Sequence, residues 1–132
     1  MVRFLLSSGA FLGALVVVLG AFGAHGLKAR LDAYSLDIFQ KGVEYQYVHV
    51  LALLAVGLLA LKYPGSLLTY AGIAFMLGIL FFSGSLYLLA TRQLLGIEAM
   101  SGILGPITPI GGLFFIIGWM LLGVHVLKNV NG

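Results

Sequence analysis

The stretch that decides the fold is His25 to His49, HGLKARLDAYSLDIFQKGVEYQYVH, because charged residues recur in it and it lies between two nearly apolar blocks. Six of the chain's eleven charged residues fall inside it. The chain has 132 residues, of which 61% are hydrophobic and 8% charged, and its mean hydropathy is +1.14. Soluble domains do not have this composition. The sequence therefore predicts a single transmembrane domain, residues 1–132, built around one polar connection.

Four apolar segments are the predicted membrane spans. A hydrocarbon core of about 30 Å needs roughly 20 helical residues at about 1.5 Å per residue. The predicted spans are residues 4–24, 45–61, 67–91 and 107–127. The second is short for a crossing, but Tyr45 and Tyr47 suit the level of the lipid headgroups. We therefore expect an all-α fold, an integral membrane four-helix bundle with both termini on one side of the membrane.

The connection between spans one and two has the pattern of an amphipathic helix lying in the membrane interface. Apolar residues follow helical spacing at Leu27, Leu31, Tyr34 and Ile38, and charged residues occupy most of the other positions. Ser35 has a side chain typical of a helix N-cap. We therefore expect an interfacial amphipathic helical segment, with a new helix starting near Ser35 and continuing into span two.

The uncommon polar residues of the spans gather in the membrane half that carries the longer connections. Polar groups at membrane depth cost free energy unless they are paired or hydrated. The gathering therefore predicts a hydrogen-bonded polar cluster or a shallow cavity open to the connection side. Its candidate members are His25, Glu44, Tyr45, Gln46, His49, Ser83, Ser85, Tyr87 and Thr108.

His49 is the most informative of these residues, because it interrupts an apolar run one helical turn after Tyr45. It could carry protons or bind a metal jointly with His25, or it could be a structural histidine hydrogen-bonded to Ser85, Tyr87 or a backbone carbonyl, which we favour. No His-x-x-x-His or His-Glu-x-x-His spacing is present, so we predict neither a metal nor another cofactor. We expect His49 to face the bundle interior and His125 to lie at the membrane interface. We expect His49 to contact at least one of the residues that converge on the same side: His25, Gln46, Ser85, Tyr87 and Thr108.

Glycine and proline are concentrated at the start of span four, in GPITPIGG at residues 105–112. Proline removes a backbone donor and glycine permits unusual backbone dihedrals. Two interpretations stay open: a broken or re-entrant start of the span, or an ordinary helix with glycine-rich packing. The residues concerned are Gly105, Pro106, Pro109, Gly111 and Gly112.

Two further small-residue motifs favour close packing. Gly9 and Gly13 form a G-x-x-x-G pair in span one, which lets another helix approach closely. Ser83-Gly84-Ser85 lies late in span three and lacks the G-x-S-x-G context of a nucleophilic serine. We therefore predict packing rather than catalysis at both motifs.

Four motifs occur together in order along the chain: GAFGAHGL at residues 20–27, the Phe39, Glu44-Tyr45-Gln46 and His49 set, FSGSLY at residues 82–87, and GPITPIGG followed by Gly118-Trp119. In these motifs the chain resembles the small four-span membrane proteins grouped as domain of unknown function 423. The resemblance covers essentially the whole chain. It implies a retained first span, a location in the bacterial inner membrane and no established activity, so it supplies no catalytic residue.

The basic residues give no footprint for nucleic acid. The seven Lys and Arg residues are scattered singly, although the formal charge is +3. Three of them lie on the terminal side of the predicted bundle and four on the connection side, so they do not decide its orientation. The expected environment is the lipid bilayer, and a second copy of the chain or other membrane helices remain open as partners.

Three classes of function remain open. The leading hypothesis is a non-enzymatic membrane protein that binds or passes a small solute, a proton or a lipid through the connection-side cluster. The second is a structural or assembly factor whose glycine-rich faces dock other membrane helices. The third is a membrane enzyme acting on a lipid with His25, Glu44 or His49 as acid or base. The sequence lacks a second carboxylate or a metal pattern to support it, so we lean away from an enzyme.

Overall fold

The computed structural model describes residues 1–130, which form helices and turns and contain no strand. The elements are α1 (Val2–His25), α2 (Ala33–Lys62), α3 (Ser66–Gly78), a π-helical segment (Ile79–Ser83), α4 (Gly84–Leu95), a 3-10 turn (Glu98–Met100) and α5 (Ser101–Asn129). α3, the π segment and α4 follow one another without a gap and form what we call the third helix, Ser66–Leu95. Within residues 1–130, four helices are long and apolar enough to cross a membrane. The predicted all-α, four-helix architecture is confirmed.

The third helix is the centre of the bundle. α2 and α5 both pack against it, and α1 packs mainly against α2. All four helices contribute to the main apolar core, for example through Leu5, Leu53, Phe75 and Phe115. Lipid tails are as apolar as these side chains, so helix association in a bilayer depends on close van der Waals contact rather than on removal from water. The fit between helices therefore matters more than their hydrophobicity.

Glycines give that fit between α1 and α2. A Cβ atom at Gly9 would lie 2.7 Å from Leu54 Cδ2, and one at Gly13 would lie 3.4 Å from Val50 Cγ1. The G-x-x-x-G pair is therefore covered by α2 inside the molecule.

Both ends of the described chain lie at the same end of the bundle. Leu5 packs where a Cβ atom of Gly72, in the first half of α3, would stand. His125, in the last turns of α5, packs against Gly65 in the turn between α2 and α3. The start of α1 and the end of α5 thus both lie beside the α2–α3 turn, as an even number of crossings requires.

The connection between α1 and α2 differs from the sequence prediction. Residues 26–31 form turns instead of a separate interfacial helix. α2 starts at Ala33 with Asp32 as its N-cap, and the Asp32 carboxylate accepts a hydrogen bond of 2.7 Å from the Ser35 N–H. The predicted N-cap at Ser35 is therefore wrong by three residues. The charged helical segment that precedes the second apolar run is the first part of α2 itself, residues 33–44.

The apolar residues of this connection pack against the bundle. Leu27 is 2% exposed and shares a cluster with Phe39 and Ala90, against which Leu31 and Ile38 also pack. These apolar side chains pack inward, as their spacing suggested, but Leu27 and Leu31 belong to a turn that packs across the ends of the helices and not to a helix. Tyr34 is the exception, because it is 70% exposed.

α5 is continuous from Ser101 to Asn129, although Pro106 and Pro109 lie inside it. The helix therefore has no break at this point. Of the glycines at 105, 111 and 112, Gly111 is the one in tight contact with another helix, whereas a Cβ atom at Gly105 would have no neighbour within 4 Å. A Cβ atom at Gly111 would overlap the backbone of Phe82 in the π segment, so this glycine lets α5 touch the third helix.

Candidate functional site

The predicted polar residues fall into several separate groups. Gln46 is buried and joins three helices: its Nε2 donates to the Leu12 carbonyl of α1 at 3.1 Å, and its Oε1 accepts from the Tyr87 hydroxyl of α4 at 2.7 Å. Ring contact between Tyr87 and Phe39, at 4.9 Å between centroids, packs the same region. Gln46 and Tyr87 therefore brace the helices on the connection side of the bundle.

The serines form a second set of braces. The Ser83 hydroxyl donates to the Gly42 carbonyl of α2 at 2.7 Å. The Ser85 and Thr108 hydroxyls lie 2.6 Å apart and join α4 to α5, and the Ser85 hydroxyl also donates to the Phe82 carbonyl at 2.9 Å. These hydroxyls are engaged within the protein, which agrees with packing rather than nucleophilic chemistry.

Two predicted members lie outside these groups. Glu44 is exposed and pairs with Lys41, with 3.2 Å between Nζ and Oε2. His25 is exposed at the end of α1 and makes no side-chain hydrogen bond within residues 1–130. No hydrogen bond in the described chain joins either of them to His49.

His49 is buried, as predicted, with 5% of its surface exposed. Its Nδ1 lies 2.6 Å from the Tyr45 carbonyl oxygen, and its Nε2 accepts a hydrogen bond of 3.1 Å from the Trp119 indole N–H. A carbonyl only accepts and an indole nitrogen only donates, so the ring is the neutral tautomer with its proton on Nδ1. Its plane stacks on Phe115 with 3.5 Å between centroids.

One of the partners considered for His49, a backbone carbonyl, is observed, and the side-chain partners are not. The ring bonds to Tyr45 and Trp119, and not to the expected set of His25, Gln46, Ser85, Tyr87 and Thr108. Trp119 was missed because tryptophan in membrane proteins commonly marks the interface. In the structure its neighbour Gly118 packs against Phe75, where a Cβ atom would lie 2.6 Å from the ring. That contact turns this side of α5 toward the third helix.

An open groove of about 640 Å³ lies between α2 and α5, and His49 forms part of its wall. We call it the α2–α5 groove. Its lining residues, mostly aromatic or apolar, are Tyr45, His49, Phe82, Pro109, Gly112, Leu113, Phe115, Ile116 and Trp119. Leu113 and Ile116 are also more than half exposed on the outer face of α5. The groove is therefore open on a surface that faces the bilayer.

The π segment shapes one side of this groove. Its wider turn shows in the hydrogen bond from the Gly84 N–H to the Ile79 carbonyl, five residues earlier. Phe82 reaches the groove and contacts Tyr45 at 4.4 Å between centroids, while its neighbour Ser83 bonds to α2. Single π turns within α-helices are frequent at functional sites. Pro109 and Gly112, which were predicted as helix-break or packing residues, line the opposite side.

His125 lies at the end of the bundle and is buried, with only 1% of its surface exposed. Its ring packs against Gly65, where a Cβ atom would lie 2.7 Å from Cε1, and its Nδ1 lies 3.3 Å from Asn129 Nδ2. Its Nε2 has no hydrogen-bond partner within residues 1–130. His125 therefore fastens the end of α5 to the α2–α3 turn, far from the α2–α5 groove.

Comparison with known proteins identifies relatives over nearly the full length of the chain. A UPF0382 membrane protein of Staphylococcus epidermidis is 44% identical over 120 residues, covering 91% of this chain and 92% of the relative. The UPF0382 membrane protein YwdK of Bacillus subtilis is 43% identical, covering 91% and 93%. The UPF0382 inner membrane protein YgdD of Escherichia coli is 35% identical, covering 96% and 91%. No solved structure matches the chain.

The family model described as "Protein of unknown function (DUF423)" matches residues 19–112. This range holds the polar connection, the braces of α2 and α4, the π segment and the start of α5. The four long apolar helices and the relatives' names agree on a multi-pass protein of the inner membrane. The chain therefore belongs to the DUF423 family of membrane proteins of unknown function.

Proposed function

We propose that the protein binds a lipid-like molecule, taken laterally from the bilayer, in the α2–α5 groove. The observation that carries this proposal is a preformed groove of about 640 Å³ that opens on the membrane-facing surface. Sites for small molecules usually measure about 300–1,000 Å³ and are mostly apolar with a few fixed polar groups. The α2–α5 groove has both properties.

The aromatic wall of the groove is rigid. Two hydrogen bonds hold the His49 ring, and Phe115 stacks on it. The Trp119 indole is fixed by its bond to His49 and by an edge contact with Phe75 at 5.2 Å between centroids. Binding to a wall that is already ordered loses less conformational entropy than binding to mobile side chains.

The chemistry of the lining favours the lipid among the ligands considered. Both nitrogens of His49 and the indole N–H of Trp119 are already bonded, so a hydrated solute would find few polar partners there. A proton added to His49 Nε2 would break the bond to Trp119, which argues against proton transfer through this ring. The Tyr45 hydroxyl makes no hydrogen bond within residues 1–130, and Tyr45 is 42% exposed. We expect the polar group of the ligand at Tyr45 and its apolar part along Phe82 and Phe115.

The competing hypotheses have less support. The glycine pair in α1 that would dock another helix is covered by α2. The residues that an acid–base enzyme would use are not joined: Glu44 pairs with Lys41, and His49 is neutral and doubly bonded.

The test uses a variant whose new side chain fills the α2–α5 groove. Gly112→Leu adds a side chain into it, and a Cβ atom there would meet the Phe82 ring at an ordinary 3.7 Å, so the variant should fold. Gly105→Leu is the matched control, two helical turns earlier on α5 with no neighbour within 4 Å. A diazirine-bearing fatty acid in vesicles is the probe, and labelled peptides are quantified by mass spectrometry. We expect labelling around Tyr45 and Leu113 to fall several-fold in Gly112→Leu only. Equal labelling of the wild type and both variants at these peptides would overturn the proposal.

A further inference from the structure

A second pocket lies at the connection end of the bundle, between the last turns of α1 and α4, and is separate from the α2–α5 groove. It measures about 500 Å³. We call it the Arg30 pocket. Its main lining residues are Phe22, Leu27, Arg30, Thr91, Leu94 and Leu95.

The level of the Arg30 pocket in the membrane follows from where the surrounding helices end. α1 ends at His25 and α4 ends at Leu95, so the pocket lies where two long apolar helices stop. Phe22 and Leu94 form its apolar side within those helices, and Arg30 enters it from the turn beyond α1. An apolar wall with a cation just past the helix end is the arrangement of the boundary between hydrocarbon and headgroups.

The guanidinium of Arg30 has no partner among the residues that the structure describes, 1–130. It makes neither an ion pair nor a side-chain hydrogen bond within residues 1–130, where the only ion pair is Lys41–Glu44. Arg92, in the last turn of α4, does have partners. It donates a hydrogen bond of 2.5 Å to the Leu89 carbonyl, and its charge attracts the Asp32 carboxylate. The lining of the pocket thus carries one uncompensated positive charge.

Two carbonyls near the helix ends around the pocket are paired within the protein. Carbonyls at the end of a helix repel an anion when they are unpaired. Here the Phe22 carbonyl accepts from the Leu27 N–H at 3.0 Å, and the Arg92 carbonyl accepts from the Ile97 N–H at 2.9 Å. The Thr91 hydroxyl donates to the Tyr87 carbonyl, so it offers no competing donor. Arg30 is therefore the group that would hold an anion in this pocket.

We infer that the Arg30 pocket binds an anionic phospholipid, with the phosphate on the Arg30 guanidinium and an acyl chain along Phe22 and Leu94. A guanidinium fork matches the oxygens of a phosphate and hydrogen-bonds to two of them at once. Free phosphate gains no favourable contact from the apolar side of the pocket, whereas an acyl chain can pack against it. The bilayer around the protein supplies such a lipid.

The experiment compares retention of two lipids by the full chain. Purified protein is exposed to phosphatidylglycerol or to phosphatidylcholine with the same acyl chains, and bound lipid is counted by native mass spectrometry. We expect phosphatidylglycerol to be retained several-fold better, because phosphatidylcholine carries the same phosphate together with a trimethylammonium cation that offsets its charge and is repelled by Arg30. Arg30→Gln should remove this preference. Lys28→Gln removes an equal charge two residues away, outside the pocket lining, and should leave the preference unchanged.

A second variant tests the space in the pocket separately from its charge. Leu94→Trp fills the pocket and keeps Arg30, and it should also abolish the preference for phosphatidylglycerol. Equal retention of both lipids by the wild type, an equal loss in Lys28→Gln, or full retention in Leu94→Trp would each overturn the inference. Displacement of the lipid by inorganic phosphate would identify free phosphate as the ligand and overturn it as well. Gly112→Leu should leave this preference intact, so the outcome is distinguishable from that for the α2–α5 groove.

Discussion

The indole N–H of Trp119 donates a hydrogen bond of 3.1 Å to Nε2 of His49, and this bond joins α5 to α2 across an open groove. α2 and α5 each pack against the third helix, and the bond also links these two helices to each other. It also explains how an imidazole can be held deep in a membrane helix without a charge. Nδ1 donates to Tyr45, Nε2 accepts from Trp119, and no ring nitrogen is left without a partner.

We predict that Trp119→Phe destabilises the protein by about 1–3 kcal/mol, because it leaves Nε2 of His49 buried without a donor. His49→Phe combined with Trp119→Phe should cost less than the sum of the two single changes, since neither polar partner is then left unpaired. Unfolding in mixed detergent micelles, followed by circular dichroism, measures the three variants. Strictly additive losses would mean that the bond contributes nothing to stability.

We predict that Gly111→Ala is far more damaging than Gly112→Ala. A Cβ atom at Gly111 overlaps the backbone of Phe82, which cannot rotate away, so we expect a loss of roughly 1–3 kcal/mol or more. At Gly112 the nearest atom is a Phe82 ring carbon at 3.7 Å, and the change should be nearly neutral. The melting temperatures of the two purified variants give the comparison. Similar values would contradict the close contact between α5 and the π segment.

The number and type of the helices could be predicted from the sequence because the length of an apolar run decides both. The burial of His49 followed in the same way, since an unpaired imidazole facing lipid would be costly. Its side-chain partner could not be predicted. Apolar residues surround α5 on every side, so periodicity does not say which face turns inward. That rotation is set by contacts that appear only in three dimensions, such as Gly111 on Phe82 and Gly118 on Phe75.

The start of α2 was missed for a different reason. Asp32 and Ser35 are both good N-cap residues, and local preference does not separate them. The choice depends on Leu27, which packs against Phe39 and Ala90 and fixes where the turn must end. The same burial explains why an apparently interfacial pattern belongs to a turn. Grouping of the polar residues on the connection side was predicted in part, since Gln46 does meet Tyr87 and Ser85 does meet Thr108.

We predict that the mature protein keeps α1. Leu5 is 1% exposed and belongs to the main core, and the glycines of α1 pack against α2. Removal of the helix would therefore uncover the face of α2 that it covers. The intact mass of protein purified from membranes checks this expectation. A mass lower by the first two dozen residues would contradict it.

The Asp32 cap predicts a pH dependence at the start of α2. The Ser35 hydrogen bonds, with a smaller contribution from Arg92, hold the pKa of this carboxyl below its ordinary value. A lowered pKa in the folded state means that the stabilisation is present above the unfolded value and is lost as the pH falls through the folded value. Hydrogen exchange of the α2 N-terminal amides should therefore speed up at acidic pH, after correction for the intrinsic rate.

Asp32→Asn is the control for this effect, because asparagine caps a helix without titrating there. It should keep most of the protection at neutral pH and lose the acid-dependent part. Asp32→Ala should lose protection at every pH. An unchanged acid dependence in Asp32→Asn would assign it to another group.

The last prediction concerns the sides of the membrane. The start of α1 and the end of α5 lie at the α2–α3 turn, and the connection that contains Lys28 lies at the other end of the bundle. The chain has no cysteine, so single cysteines at Val2, Lys28 and Val130 can be labelled without interference. In sealed vesicles of one orientation, an impermeant maleimide should label Val2 and Val130 from the same side and Lys28 only from the opposite side. Labelling of Val2 and Val130 from opposite sides would require an odd number of crossings. In that case one of the four long helices would lie outside the bilayer, and the α2–α5 groove would no longer be bounded by two spanning helices.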